Sequence, residues 1–305
     1  MTPLKSFRRA ILPSLIALAL LGSASQAQQS YKTPEDAATA LAAAVKSGPG
    51  DVLKVLGKAA EDIVSSGDEI ADNDIRQRFT SMYDAKHGIK AEGNKTATLM
   101  LGQDDFPFPI PLVNTKTGWE FDTDEGRIEV LRRRIGRNEL DAIQTALAYV
   151  DAQNEYADKD RGEGAGVYAQ RIVSSPGKKD GLFWRDDGDP SPLGALAAEA
   201  SKEGYRAGDV GPAPYHGYYF RILKGQGPDA PGGALNYVVK NKMIGGFALI
   251  AWPAEYGNSG VMTFLVNHAG TVYQKDLGTR TDIIAPRTAL FDPDQTWKKV
   301  DAAKP

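Results

Sequence analysis

The chain has 305 residues, 42% of them apolar, with 36 Lys and Arg against 39 Asp and Glu and no cysteine. Disulfide and thiolate chemistry are therefore closed to it, and ordinary hydrophobic cores must hold the fold, with enough chain for two of them. A net charge of −3 argues against duplex nucleic acid or an anionic membrane surface as partner, because both reward a concentrated positive field.

Lys5, Arg8 and Arg9 precede an apolar run over residues 11–21, and Ser25-Gln26-Ala27 forms a small-residue exit. This pattern predicts a secretory signal over residues 1–27. The run is interrupted by Pro13 and Ser14 and is shorter than the about 20 apolar residues a spanning helix needs. The mature chain is thus expected to be periplasmic or secreted, with no membrane span after signal removal. Losing the leader removes three bases and no acid, which leaves 33 bases against 39 acids, a balance of −6.

Residues 28–123 read as a first module. Thr33 is placed to cap a helix with Pro34 in its first turn, and Leu41 and Val45 recur at helical spacing. The Ser47-Gly48-Pro49-Gly50 stretch stops that helix, and Asp51 is the expected cap of a short successor ending before Gly57. A third helix is predicted over residues 72–86, with Ile75, Phe79, Met82 and Tyr83 on one stripe. The period then changes to two. Gly93-Asn94 turns a hairpin into residues 96–101, the alternating Pro107, Pro109 and Pro111 suit an extended edge, and Trp119 and Phe121 alternate with polar neighbours.

Residues 124–139 read as a helical connector, carrying Ile128, Leu131 and Ile135. A second stripe of Leu140, Ile143, Leu147 and Val150 opens the module of residues 140–305, and Gly136 with Asn138 predicts a break between them. Arg132, Arg133, Arg134 and Arg137 form the one dense basic run. Helical geometry spreads them around the cylinder near Glu129 and Glu139, so they read as a solvated surface. Loops rich in Gly and Asp follow, then a helix near residues 192–202, then strands at 217–223, 235–239, 247–252, 261–266 and 271–275. An antiparallel sheet covered by that preceding helix is expected. The fold class throughout is α+β.

The helices-then-sheet order of the first module, most visibly Ser66-Gly67-Asp68-Glu69-Ile70 leading into the helix with Ile75 and Phe79, resembles the cone-shaped fold of nuclear transport factor two and polyketide-cyclase-like enzymes. In the second module, Pro214-Tyr215-His216-Gly217-Tyr218-Tyr219-Phe220, Met243-Ile244-Gly245-Gly246-Phe247-Ala248-Leu249 and Tyr256-Gly257-Asn258-Ser259-Gly260-Val261 resemble an uncharacterised bacterial family of secreted proteins, domain of unknown function 2950. The Ile135-Gly136-Arg137-Asn138-Glu139-Leu140 segment belongs to the same pattern. Gly246-Phe247-Ala248-Leu249 and Asn267-His268-Ala269-Gly270 are also similar to the globular heads of pilins and type II secretion pseudopilins. Those proteins carry an unbroken apolar helix ahead of the head, where this chain has a charged connector.

Chemistry is thinly signposted. With three histidines, no thiolate and no His-Glu-x-x-His, a zincin is excluded. Gly162-x-Gly164-x-Gly166 follows no strand and no Walker string occurs, so nucleotide loops are absent. Ser175-Pro176-Gly177-Lys178 has no partner motifs in the required order, and Gly257-Asn258-Ser259-Gly260 lacks the second glycine of a nucleophile elbow. No catalytic residue is therefore assigned, and His216 and Ser259 are the weak candidates. Tyr215, His216, Tyr218, Trp252 and Tyr256 are the candidate ligand wall, although strand alternation sends about half of such aromatics into a core. Asp186, Asp187 and Asp189 offer oxygen ligands for calcium without EF-hand spacing. No other cofactor is implied.

Three functions follow from these residues. The first is a non-enzymatic binding or assembly protein of the bacterial cell envelope, whose partner is an envelope protein, a peptide or a glycan. The second is an extracytoplasmic hydrolase using His216 with an acid such as Asp180 or Asp209. The third is an adhesion module steadied by calcium.

Overall fold

The computed structural model describes residues 28–185, 188–205 and 213–300. Thr33 caps helix α1 (Pro34–Ser47) as expected, its hydroxyl accepting from the Asp36 N–H at 3.1 Å. Helix α2 (Pro49–Leu56) starts one turn earlier than read, from Gly48, so Asp51 lies in its first turn instead of capping it. Proline at the first helical position sets the start, since it needs no N–H partner there. A one-turn helix α3 (Glu61–Val64) and helix α4 (Glu69–Ala85) follow. The α4 cap is Asp68, whose carboxylate accepts from the Ile70 and Ala71 N–H groups.

The hairpin around Gly93 joins β1 (His87–Glu92) to β2 (Thr96–Leu101), and β3 (Phe106–Pro107), β4 (Leu112–Asn114) and β5 (Trp119–Phe121) complete a five-stranded antiparallel sheet. Ala97, Leu99 and Leu101 alternate inward along β2 and meet Ala37, Leu41, Val52 and Leu56 from α1 and α2, with Leu112 and Phe121 closing the first core. Ile75, placed on the buried stripe of α4 by its spacing, is instead exposed.

Helix α5 (Thr123–Ala157) runs unbroken for 35 residues, about 50 Å at 1.5 Å per residue. The break expected at Gly136 does not occur. Glycine only lowers helix propensity, and packing at both ends outweighs that cost. The boundary drawn at residue 139 thus falls inside one helix that belongs to both halves. Val130 and Leu131 pack on the first core, whereas Ala142, Ile143, Ala146, Tyr149 and Val150 enter the second. Ile128 and Leu140, assigned to the apolar stripes by spacing, are 62% and 64% exposed.

The second half comprises α6 (Gly194–Glu203), β6 (Tyr218–Leu223), the short strands β7 (Gly225–Gln226), β8 (Leu235–Asn236), β9 (Val238–Val239) and β10 (Lys242–Met243), then β11 (Ala248–Pro253), β12 (Met262–Asn267), β13 (Val272–Asp276), α7 (Thr281–Ile284) and β14 (Lys298–Lys299). The main sheet is antiparallel in the order β14-β13-β12-β11-β6, with Asn267 to Gly270 forming the expected hairpin. Its cover is α5 and not the preceding helix: α6 buries no residue fully, while α5 lies along β11, β12 and β13. Gln153 is fully buried and joins helix to loop, donating to Ala169 O at 2.8 Å and accepting from Ala169 N at 2.9 Å. The whole is an α+β fold. Among the described residues no helix is long and apolar enough to cross a membrane.

Two glycines of α5 separate packing from propensity. A Cβ on Gly126 would fall 2.6 Å from the Ile110 Cα, whereas one on Gly136 meets nothing within 4 Å. Gly126→Ala should cost about 1–3 kcal/mol by overpacking, and Gly136→Ala should gain about 0.5–1 kcal/mol by lowering unfolded-chain entropy. Urea unfolding midpoints of the two variants will move in opposite directions.

Candidate functional site

Where the two cores approach each other, the contacts are polar. Arg134, in the first half of α5, is 4% exposed. Its guanidinium donates to Asp62 O at 2.9 Å and also to Ile63 O and the Asn258 side-chain oxygen. Burial lowers its pKa from the usual guanidinium value, with Asp72, Asp62 and Glu255 pulling the other way. The reading of the arginine run as a solvated surface therefore fails at Arg134, though it holds for Arg132 and Arg133, which pair with Glu129. Glu139 does not offset the arginines either. Its carboxylate accepts from Val261 N and Met262 N, each at 3.0 Å.

Asp68 is the second hub. Besides capping α4, its Oδ2 accepts from the Tyr205 hydroxyl at 2.8 Å and from Gly217 N at 3.0 Å, reaching across 137 and 149 residues of sequence. Burial, and next the Asp68 charge, push the Tyr205 phenol well above its ordinary value, so it remains a donor. These bonds hold the turn at residues 215–218 in an unusual shape: His216 has φ of 48° and Gly217 has φ of 74°. A non-glycine residue in the left-handed region costs of order 1 kcal/mol and persists only where its surroundings impose it. Gly217 is also sterically required, because a Cβ there would lie 2.6 Å from Asn138 Nδ2.

His216 faces a cavity of about 240 Å³ walled by α4, α5 and the end of α6. Its Nε2 lies 3.2 Å from Glu203 Oε2 and its Nδ1 lies 3.6 Å from Asp141 Oδ2. The rings of Tyr205 and Tyr215 flank it at centroid distances of 5.6 and 4.2 Å. Burial, followed by Glu203 and Asp141, pushes the Tyr215 phenol up to about 12. Asp74 and Arg78, paired at 2.7 Å, and Arg137 complete the polar wall beside Ile70 and Ile75. The acids that meet His216 are therefore Glu203 and Asp141. Asp180, expected as one partner, instead accepts from Ser175 N and Oγ at 2.7 and 2.8 Å, and Asp209 lies outside the described residues.

The other sequence candidates disperse. Ser259 is fully buried, and its hydroxyl accepts from Glu255 N at 2.9 Å and donates to Glu255 O at 3.2 Å, closing a turn within its own loop. Tyr218 is a core residue, fully buried, with its hydroxyl on Met262 O at 3.0 Å. Trp252 leans on Tyr219, and Tyr256 bonds Asp276, so neither lines the His216 cavity. Of the five expected wall residues, only Tyr215 and His216 are together. Asp186 and Asp187 lie outside the described residues, and Asp189 sits among Lys159, Arg161 and Lys179. That cationic setting opposes a calcium ion at this carboxylate. Among the described residues no three His, Asp or Glu side chains gather at metal-binding range.

Asp68 and Arg134 were invisible to motif reading because their partners come from distant segments. The cap position before α4 was the one available signal for Asp68. Replacing Arg134 with Leu strands three buried acceptors, each costing about 1–3 kcal/mol when unsatisfied. Its thermal unfolding should drop by several degrees more than that of Arg132→Leu, which loses only an exposed pair. Tyr205→Phe should cost about 1–2 kcal/mol and release the His216 turn, read as larger chemical-shift changes at Gly217 than elsewhere in β6.

A family model described as "Protein of unknown function (DUF2950)" matches residues 28–300. No curated protein and no solved structure matches the chain.

Proposed function

This chain belongs to the DUF2950 family, and from its own geometry we propose that it is a non-catalytic binding protein of the bacterial cell envelope, recognising a peptide amine in the His216 cavity. The observation that carries the reading is the state of the reactive-looking side chains. Ser259 spends its hydroxyl inside its own turn, and each ring nitrogen of His216 has a carboxylate in front of it. A general base needs a ring nitrogen free to take a proton from a nucleophile, and the two hydroxyls of the described cavity wall are engaged elsewhere, Ser66 with the Asp68 N–H and Tyr205 with the Asp68 carboxylate. What the cavity does present is two partly exposed carboxylates, Asp141 and Glu203, on a wall that also carries the Tyr205 ring. Carboxylates set against aromatic rings suit an ammonium group, while Arg137 on the same wall suits a carboxylate further along a peptide.

Export supports the envelope setting. A charged start, a short apolar run and a small-residue exit are what a leader peptidase reads, and a cysteine-free chain folds equally well in an oxidising compartment. The arrangement of α5 along β11, β12 and β13 supports a pilin-head-like second half, and α1 and α4 against β1, β2 and β5 support a cone-like first half. On this proposal the two halves form one recognition body and do not polymerise.

The hydrolase reading rests on the strained His216 beside Glu203, and one experiment separates the two. Cell-wall-derived peptides with free amines should bind the purified protein, and Asp141→Asn with Glu203→Gln should weaken binding at least tenfold while leaving the peptides uncut in wild type. Peptide turnover that disappears in His216→Ala would replace binding by catalysis. Full-length gene expression followed by N-terminal sequencing of protein from the periplasmic or medium fraction should give Gln28 as the first residue. An intact Met1 on cytosolic protein would remove the envelope assignment.

A further inference from the structure

A second cavity, on the far side of the second core, has the character of an anion site. It measures about 570 Å³ and lies beyond the end of α5. Its centre is Arg161. The loop after α5 turns back through Asp160, whose Oδ1 accepts from Gly162 N and Gly164 N at 2.8 Å each, while Gly166 N bonds Ala157 O. This lays the Arg161 guanidinium between the rings of Tyr156 and Trp184, at 5.1 and 4.6 Å from their centroids. The side chain is only 5% exposed. A guanidinium carries five N–H donors. One nitrogen, Nη1, lies 3.3 Å from Asp189, whereas Nε and Nη2 are buried with no acceptor among the described residues. Buried donors are almost always satisfied, so these two nitrogens call for an oxygen acceptor.

The cavity walls add charge of the same sign. Arg171, Lys178, Lys179 and Lys224 line it with Arg161, against Glu163 and Asp180. Asp180 is already turned to Ser175 with both oxygens. Arg171 and Lys178 have no ion pair among the described residues. The remaining wall includes the rings of Tyr156 and Tyr168. A planar guanidinium matches the paired oxygens of a carboxylate or phosphate, and tyrosine rings accommodate a polar ring stacked against them. The volume falls within the range of small-molecule sites.

We infer that this protein has a second ligand site, centred on Arg161, for a small oxyanion-bearing ring compound such as a carboxylated or phosphorylated sugar. It is independent of the His216 cavity, where three acids face three arginines, whereas here bases outnumber acids five to two.

Calorimetric titration with glucuronate, glucose 1-phosphate and uncharged glucose tests this. At least one anion should bind at least tenfold more tightly than glucose, and which anion binds assigns carboxylate or phosphate as the recognised group. The Arg171→Gln, Lys178→Gln double variant, altered only at exposed positions, should weaken that binding at least tenfold. Arg161→Gln should abolish it, with a melting curve to confirm folding, and His216→Ala should leave it unchanged. Anions that bind no better than glucose would overturn the site. So would anion affinity unaltered in the double variant, a result that stands even if Arg161→Gln fails to fold.

Discussion

A charged side chain buried within a long helix organises this molecule. Arg134 can sit there only because two distant segments, α3 through Asp62 and Ile63 and the loop at Asn258, bring backbone and side-chain oxygens to its guanidinium. A guanidinium taken out of water without such acceptors would be costly. These segments are therefore held to α5 by the charge they satisfy. Asp68 repeats the logic with opposite sign, collecting donors from the start of α4, from Tyr205 and from the Gly217 backbone. Two apolar cores at the two ends of α5 supply most of the driving force, and the polar junction between them supplies geometry.

That division explains why the reactive-looking residues sit where they do. Apolar packing is tolerant of small shifts, but hydrogen bonds to a buried charge fix direction and distance. The left-handed turn at His216 is a product of this rigidity: the Tyr205 hydroxyl receives the His216 N–H, and Asp68 receives the next. The imidazole is thus delivered to the 240 Å³ cavity between Glu203 and Asp141 at a set orientation. Precision of this kind serves recognition as well as catalysis. Ser259, by contrast, is consumed by its own loop.

Charge is distributed unevenly over the two cavities despite a chain close to neutral. Asp74, Asp141 and Glu203 offset Arg78, Arg134 and Arg137 around His216, whereas bases collect around Arg161. Net charge had excluded polyanionic partners for the whole chain, and that argument speaks to the global field, not to a cavity of a few hundred cubic ångströms. Local surplus arises because the loops beyond α5 bring together bases from distant sequence, Arg161, Arg171, Lys178 and Lys224 among them.

Local signals alone determined a good part of this protein. The Thr33 cap, the Gly93 hairpin, the inward alternation of β2 and the strands β6, β11, β12 and β13 are each specified by neighbours within a few residues, and a reader of the chain recovers them together with the α+β class. Tertiary structure decided everything set by partners more than a hundred residues away or by packing at both ends of an element. It kept α5 continuous through Gly136, made α5 the cover of the second sheet, buried Arg134 while leaving Ile128 and Leu140 in water, and separated Tyr218 and Ser259 from the cavity that His216 faces. Spacing along a sequence reports which face of an element a residue occupies, but only the assembled neighbours define whether that face is core, solvent or a polar junction.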